Sequence, residues 1–321
     1  MKPSLSCAGN ALYTVVAFVE TGFASRLGLH PSSKNTLDSA ALLSLIKALP
    51  DAAKGAGGGA AACARVFPAL GNKAAFAGCL GNDSLASLYK KDMILAGISD
   101  YTLQKDGYSG SFCALIEPGG IRTIAVNPGI ATSINPELID ASFYNPDATL
   151  YIDGFLSEYP ETIMAIVKKA VSAGMRVALD VASFSCVKKE HNLFLDLIRN
   201  YCSWTFMNED EFNHLAEGSV DTALKAFSKE APGTIIVKRA EIGAVCVSDG
   251  LVLESAVRPF RAADKTGAGD AFAAGFLSAA LQGAPLARCL RLGNRVAELT
   301  LKTQGFAIDS ESFRQAVKAV I

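Results

Sequence analysis

The sequence is poor in the features that metal centres, nucleic-acid surfaces and membrane spans require. Only 3 of its 321 residues are histidines, and His30, His191 and His214 have no metal-ligand spacing. The formal net charge is −1, so the chain lacks the surplus of lysine and arginine that binds phosphate backbones. No apolar run reaches the length of a transmembrane helix. We therefore predict neither nucleic acid nor a membrane as a partner, and expect a small-molecule substrate.

The cysteines and the N-terminal apolar run carry no special signal. The 8 cysteines form no C-x-x-C pair and most lie among apolar residues, which predicts buried thiols in a reducing, cytoplasmic compartment. Only Lys2 precedes the apolar run at 11–19, Thr14 interrupts it and Glu20 ends it, which is atypical of a signal peptide. We predict a strand there.

From residue 148 onward, short buried segments alternate with helical patterns. Such alternation is typical of an α/β fold with a mostly parallel sheet covered on both faces, where ligands bind at the C-terminal ends of the strands. A hairpin is predicted from strands 111–117 and 121–126 around Pro118-Gly119-Gly120. The other predicted strands are 5–8, 12–19, 148–152, 175–179, 203–207 and 234–237, and the predicted helices are 36–49, 60–70, 84–96, 161–173, 187–201, 209–217, 220–229, 286–301 and 310–320.

The stretch 55–60 matches G-x-G-x-x-A, the fingerprint of dinucleotide-binding folds. In a dehydrogenase this fingerprint directly follows a strand, and an acidic residue ends the next strand about twenty positions later. Here a predicted helix and Pro50 precede the glycines, and no such acid follows. The context therefore disfavours a dehydrogenase.

A second glycine-rich stretch, Gly267-Ala268-Gly269-Asp270, stands directly before an apolar helical run. Glycines leave room for main-chain amides to surround an anion at the helix N-terminus. A carboxylate beside such a cradle is suited to removing a proton while the amides hold developing negative charge. The alternative is an aspartate that only caps the helix after a glycine turn.

The longer stretch 264–270, Asp-Lys-Thr-Gly-Ala-Gly-Asp, resembles the signature of the ribokinase family, also called PfkB-type carbohydrate kinases, and its pattern is closest to the adenosine kinase and fructokinase-like branch. The resemblance implies a ribokinase-like doubly wound sheet in a single domain, residues 1–321, with a small β lid from segments 12–35 and 104–128. It implies Asp270 as the catalytic base, and Gly267, Ala268 and Gly269 as the anion hole for a phosphoryl group transferred from ATP.

The same resemblance assigns the cofactor residues. Asn208 and Glu211 match the family's Asn-x-x-Glu motif, which is associated with Mg²⁺ and phosphate positioning; the alternative is an acidic helix start favoured by the helix dipole. Lys238, Gly243 and Asn294 are placed along the nucleotide. Ala240 replaces the first glycine of the family's Gly-x-x-Gly at this point. A monovalent cation is a further expectation.

The acceptor side departs from the family pattern. The resemblance implies substrate binding by Asn10, Thr14, Gly57, Gly58, Ala62 and Arg122. At two of these positions the family has groups that grip sugar hydroxyls, an aspartate where this chain has Thr14 and an asparagine where it has Ala62. Ribose and adenosine are therefore expected to be poor acceptors.

Two classes of function stay open at this point. The first is an ATP-dependent kinase for a small sugar or nucleoside-like alcohol, acting as a monomer or homodimer. The second is a nucleotide-binding sensor or pseudo-kinase with a degraded sugar site, which Thr14 and Ala62 motivate and Asp270 argues against. Turnover of ATP with any polyol separates the two.

Overall fold

The computed structural model describes residues 4–258, 266–303 and 310–320. Its strands form one large sheet, one smaller sheet and one isolated pair. In chain order the strands are β1 Leu5–Ala8, β2 Leu12–Phe18, β3 Lys34–Thr36, β4 Ala53–Gly57, β5 Ala74–Ala77, β6 Cys79–Leu80, β7 Ser99–Asp100, β8 Leu103–Gln104, β9 Gly110–Glu117, β10 Ile121–Asn127, β11 Thr149–Asp153, β12 Arg176–Asp180, β13 Cys202–Asn208, β14 Thr234–Lys238, β15 Gly243–Ser248 and β16 Leu251–Ala256.

The helices follow most of the parallel strands along the chain, as the alternating pattern predicted. In chain order they are α1 Phe23–Arg26, α2 Ser39–Lys47, α3 Gly59–Ala69, α4 Ser84–Leu95, α5 Pro160–Ser172, α6 Phe184–Lys189, α7 His191–Asn200, α8 Glu209–Leu215, α9 Val220–Ser228, α10 Ala268–Ala280, α11 Leu286–Lys302 and α12 Ser310–Val320.

The large sheet has nine strands in the order β16-β15-β14-β13-β12-β11-β1-β5-β7. The strands from β14 to β7 in this order pair in parallel, and β15 and β16 are antiparallel at one edge. Alternate residues of β11 enter different buried clusters: Tyr151 belongs to one, and Leu150 and Ile152 belong to the other. The sheet is therefore covered on both faces, which confirms the predicted α/β fold.

The small sheet has five strands in the order β3-β10-β9-β2-β4. It contains the predicted hairpin, whose strands β9 and β10 pair in antiparallel register. It also contains β4, which lies outside the two segments predicted to form the lid. Helices α2 and α4 pack against this sheet.

Two predictions about local structure were wrong. The helix predicted at 187–201 is two helices, because Glu190 has a non-helical ψ of 40° and separates α6 from α7. A short strand, β4, begins before the glycines of 55–60 and contains Gly55 and Gly57, contrary to the expected context. That strand runs antiparallel to β2 in the small sheet, however, so the fingerprint still lacks the parallel strand–turn–helix unit of a dehydrogenase.

All eight cysteines are free, and seven of them are buried, as predicted. None of the helices in the described ranges has the length and hydropathy needed to cross a membrane. Asp264 and Lys265, the first two residues of the family signature, lie outside the described residues.

Candidate active site

Helix α10 begins at the centre of the site. Gly267 precedes the helix with φ 75°, in the left-handed region that favours glycine, and among the described residues no side chain caps the first turn. The first backbone bond of the helix runs from the Ala271 N–H to the Gly267 carbonyl at 2.9 Å. Within the described residues, the amides of Ala268, Gly269 and Asp270 have no assigned acceptor, and such donors at a helix N-terminus suit an anion.

Asp270 is partly buried in the first turn of α10. The Tyr151 hydroxyl lies 3.5 Å from its Oδ1. Burial, with the charge of Asp180 next in importance, raises the pKa of Asp270 well above its ordinary value, and Lys238 partly opposes the shift. A carboxylate with raised proton affinity is a stronger base than an exposed one, so this position suits proton removal.

Asp153 is a second carboxylate beside Asp270. It ends β11, is 1% exposed, and accepts hydrogen bonds from the Ala60 N–H at 2.7 Å and the Phe155 N–H at 3.0 Å. A Cβ on Gly59 would lie 3.1 Å from Asp153 Oδ2 and 3.2 Å from Asp270 Oδ1, so the two carboxylates flank the start of α3. Burial raises the pKa of Asp153 to about 6, although its two backbone hydrogen bonds lower it.

Lys238 supplies positive charge to this acidic site. It ends β14, and its Nζ lies 2.5 Å from Oδ2 of Asp180, which ends β12. A Cβ on Gly269 would lie 3.0 Å from the same Nζ. The pair is largely buried, with side chains 18% and 6% exposed. The ammonium group therefore lies between Asp180 and the amides at the start of α10.

Asn208 and Glu211 form a reciprocal capping box at the start of α8. The Asn208 N–H and Nδ2 donate to the two carboxylate oxygens of Glu211 at 2.7 and 2.8 Å, and the Glu211 N–H donates to Asn208 Oδ1 at 2.9 Å. Burial and the Asp180 charge raise the pKa of Glu211 to about 7, against the effect of Lys238. In the described part of the chain no three acidic, histidine or cysteine side chains come together as a metal site. The donors here fit a Mg²⁺ ion held through water rather than by direct ligation.

Gly243 and Asn294 meet at the antiparallel edge of the large sheet. Asn294 Nδ2 donates to the Ser255 carbonyl at 2.8 Å and to its Oγ at 3.1 Å. Gly243 has φ 117°, and a Cβ there would lie 2.1 Å from the Ser255 carbonyl oxygen. Ala240 has φ 48°, so the alanine adopts the left-handed conformation that the family's glycine favours.

The glycines before α3 contact the predicted acceptor residues. A Cβ on Gly58 would lie 2.0 Å from the Asn10 carbonyl oxygen, and one on Gly57 would lie 2.1 Å from Thr14 Oγ1. Thr14 is 4% exposed, and its hydroxyl donates to the Leu12 carbonyl at 3.0 Å. Asn10 Oδ1 is buried and has no hydrogen-bond partner among the described residues. The Thr14 hydroxyl is thus already engaged, whereas Asn10 offers an acceptor.

Arg122 lies further along the small sheet. On β9, Arg122 pairs with Ile116, whereas Thr14 pairs with Phe112. The guanidinium carbon of Arg122 lies 5.8 Å from the centroid of the Phe112 ring. The structure brings Arg122 to the same sheet as Thr14, on strands that β9 separates.

Sequence reasoning left Asp153 and Tyr151 out of the site. Asp153 carried a signal, because it directly follows the strand predicted at 148–152, where ligands of parallel sheets bind. Tyr151 carried no such signal, because its position within an apolar strand indicates only a buried residue. Asp180 directly follows the strand predicted at 175–179, but its ion pair with Lys238 was not foreseen.

Comparison with known families agrees with this geometry. Residues 36–312 match the pfkB family of carbohydrate kinases. The chain belongs to the pfkB family. It is therefore a phosphotransferase that acts on a hydroxyl group, and the dehydrogenase interpretation of residues 55–60 is excluded.

Family relatives with different acceptors match this chain at similar identity. An uncharacterized sugar kinase of Archaeoglobus fulgidus is 26% identical over 248 residues, 74% of this chain and 94% of the relative. An adenosine kinase of Saccharomyces cerevisiae is 26% identical over 339 aligned positions, 97% and 98% of the two chains. A ketohexokinase of Mus musculus is 28% identical over 266 residues, 78% and 86% of the two. The sequence thus identifies a sugar or nucleoside kinase of this family without selecting the acceptor.

Solved structures of the family share the fold. A probable sugar kinase of Rhizobium etli superposes with a TM-score of 0.88 at 24% identity, covering 100% of this chain and 99% of the other. An adenosine kinase of Sinorhizobium meliloti gives 0.87 at 24% identity, covering 99% and 100%. These similarities confirm the ribokinase-like α/β fold. All relatives described here are named as kinases, so the alternative of a sensor that has lost turnover gains no support from them.

Proposed function

We propose that this protein transfers the γ-phosphoryl group of ATP to a hydroxyl of a small sugar or nucleoside-like acceptor, with Asp270 as the base. The observation that carries the proposal is the start of α10, where main-chain amides that no described side chain caps stand beside a carboxylate of raised pKa. The amides suit the oxygens of the transferred group, and the carboxylate suits the proton of the acceptor.

Asp270 takes the proton of the acceptor hydroxyl, and that oxygen forms a bond to the γ-phosphorus. The bond from the γ-phosphorus to the bridging oxygen breaks, and ADP leaves with the electron pair. The amides of Gly267, Ala268 and Gly269 hold the negative oxygens of the transferred group, since positioning and charge stabilisation dominate this chemistry.

Asn208 and Glu211 are proposed to orient Mg²⁺ through water, because both Glu211 oxygens already accept hydrogen bonds from Asn208. When bound, Mg²⁺ neutralises charge on the phosphates of ATP. Gly243 and Asn294 are proposed to lie along the nucleotide. A monovalent cation stays a prediction.

Acceptor binding is proposed at Asn10, Gly57, Gly58, Thr14, Ala62 and Arg122. Gly57 and Gly58 precede the helix whose start touches Asp270 through Gly59. An acceptor hydroxyl near Gly58 would therefore be close to the proposed base. The buried Asn10 Oδ1 would accept a hydrogen bond from the acceptor.

The test combines an acceptor panel with one substitution. ADP release should be measured across sugars, nucleosides and sugar phosphates, and the best acceptor then used with Asp270→Asn. Because amide replaces carboxylate at nearly equal size, the rate should fall ~10²–10⁴-fold. ATP affinity by calorimetry should change little, since the cradle is main chain. Asp51→Asn, at an exposed turn aspartate, serves as the matched control. Near-wild-type turnover by Asp270→Asn would show that the carboxylate is only a first-turn acid of α10.

A further inference from the structure

The charges around the start of α10 are mostly negative. Asp270, Asp180 and Asp153 are mutually close enough for each to influence the proton affinity of another, and Glu211 adds a fourth carboxyl group near Asp180. Lys238 is the cation that opposes them at both Asp270 and Glu211. A phosphoryl group entering this site would meet repulsion from the carboxylates unless positive charge were placed next to it.

The Lys238 ammonium group has that position. Its Nζ is 3.0 Å from the place of a Cβ on Gly269, whereas its Cε and Cδ are 3.9 and 4.0 Å away, so the tip of the side chain is the part nearest to the cradle. The ion pair with Asp180 at 2.5 Å also holds this tip. Parallel register places the two residues at the ends of β14 and β12, with β13 between them.

We propose that Lys238 is a catalytic residue that binds the transferred phosphoryl group while Asp180 holds its ammonium in place. An ammonium carries three donors, so one can remain on Asp180 while another contacts a phosphoryl oxygen. The lysine stays protonated throughout, and its charge stabilises the group between ATP and the acceptor. This inference rests on the proposed function, because it takes the anion at α10 to be the γ-phosphate.

The absence of a side chain at Gly269 fits the same assignment. A methyl group there would contact Nζ at 3.0 Å, which is tighter than about nine in ten such contacts, so the ammonium would have to shift by a few tenths of an ångström. Gly269 lies in the first turn of a helix and not at a position of positive φ, so helix geometry alone does not require glycine. Its small size keeps the ammonium at the cradle.

The main experiment measures ATP and ADP affinities by calorimetry with excess Mg²⁺ and without acceptor. Lys238→Met should bind ATP about 10–100-fold more weakly, because it loses one hydrogen bond to a charged group. Its affinity for ADP should fall much less. Lys225→Met, an exposed lysine on α9, should leave both affinities unchanged. Equal ATP-to-ADP affinity ratios in wild type and Lys238→Met would overturn the inference.

A double variant separates contact with phosphate from neutralisation of Asp180. If Lys238 only neutralises Asp180, Asp180→Asn with Lys238→Met should regain the wild-type ratio of ATP to ADP affinity; that recovery would overturn the inference. We expect thermal stability to recover in the double variant and the ratio to stay low.

Gly269→Ala offers a second variant that retains Lys238, Asp180 and the amide. Alanine favours helices, so folding should persist while ATP affinity falls at least several-fold. Unchanged ATP affinity in Gly269→Ala would contradict the inferred position of the ammonium. Wild-type protein that binds neither nucleotide would instead overturn the proposed function, and this inference with it, whereas wild-type binding with unaffected variants would overturn this inference alone.

Discussion

The helices α10 and α3 both begin after a glycine, but the main-chain amides of their first turns have different partners. The N-cap residues are glycines of positive φ, Gly267 at 75° and Gly58 at 99°. Because glycine has no side chain, neither N-cap residue can cap the first turn of its helix. At α3, Asp153 reaches across from β11 and accepts from the Ala60 N–H. At α10 no described carboxylate caps the amides. One helix start is therefore closed by the protein's own anion, and the other is available to a ligand's anion.

The same contrast separates the two halves of the site. On the phosphoryl side, the glycines, Asp270 and Lys238 form a cradle beside a base. On the acceptor side, Thr14 donates its hydroxyl to the main chain and Ala62 has no polar group. We therefore propose that the residues for phosphoryl transfer follow the family pattern while those for acceptor recognition depart from it, because the two tasks depend on different side chains.

The largest expected effect comes from filling the two helix starts. In Gly58→Ala, the new Cβ would lie 2.0 Å from the Asn10 carbonyl oxygen, so the main chain must shift. Overpacking and a strained φ together should cost about 3 kcal/mol or more of unfolding free energy. In Gly267→Ala the new Cβ would have no described atom within 4 Å. The expected cost is therefore only that of holding alanine at a left-handed φ, about 1 kcal/mol.

Urea denaturation of both variants measures this difference directly. Equal losses would mean that the closed and open helix starts do not differ as described. Gly283→Ala, at another glycine of positive φ with no atom within 4 Å, is the control for the cost of φ alone and should match Gly267→Ala.

A smaller effect is expected from the pH dependence at Glu211. Its pKa is about 7 in the folded protein against an ordinary value of 4.5. Between pH 4.5 and pH 7, Glu211 is therefore protonated in the folded state and ionised in the unfolded state. The free energy of unfolding falls as pH rises through this window. The loss is on the order of 3 kcal/mol and is fully present above pH 7.

Glu211→Gln removes this titration. Gln resembles the protonated carboxyl group of Glu211 but does not titrate, so the stability of the variant should change little between about pH 5 and pH 8 while that of the wild type falls. Parallel curves of stability against pH would contradict the buried, proton-binding state of Glu211. The same variant should need more Mg²⁺ for half-maximal rate; an unchanged Mg²⁺ titration would leave the motif as a helix cap alone.

The smallest expected effect concerns acceptor choice. Thr14→Asp with Ala62→Asn would restore the family's polar groups, and a hydrogen bond to a charged group is worth about 1.5–3 kcal/mol. We expect kcat/KM for ribose or adenosine to rise about tenfold or more. The gain requires Thr14's buried neighbour Gly57 to leave room for the carboxylate.

Thr14→Asn with Ala62→Asn is the matched neutral control and should gain less. Strong wild-type activity on ribose or adenosine would show that Thr14 and Ala62 do not weaken the acceptor side. The comparison between the two halves of the site would then fail.

Much of the fold and one half of the site could be predicted from the sequence because the signals are local. The period of buried residues predicted the strands β11 to β14 to within about one residue at most ends. The glycines before α10 and the Asn208–Glu211 spacing marked two helix starts, since capping and helix dipoles act within one turn. The resemblance to the family then supplied their expected roles.

Other features depended on the order of the strands in space. Asp153 caps α3, whose first residues are 93 positions away in the chain, because β1 lies between β11 and β5 and brings α3 to the end of β11. Lys238 meets Asp180 across 58 positions because β13 alone separates β14 from β12. The sequence by itself determined which segments form strands, helix starts and a candidate base. Only the tertiary structure decided which charges face one another, because pairing in a parallel sheet follows strand order and register rather than separation along the chain.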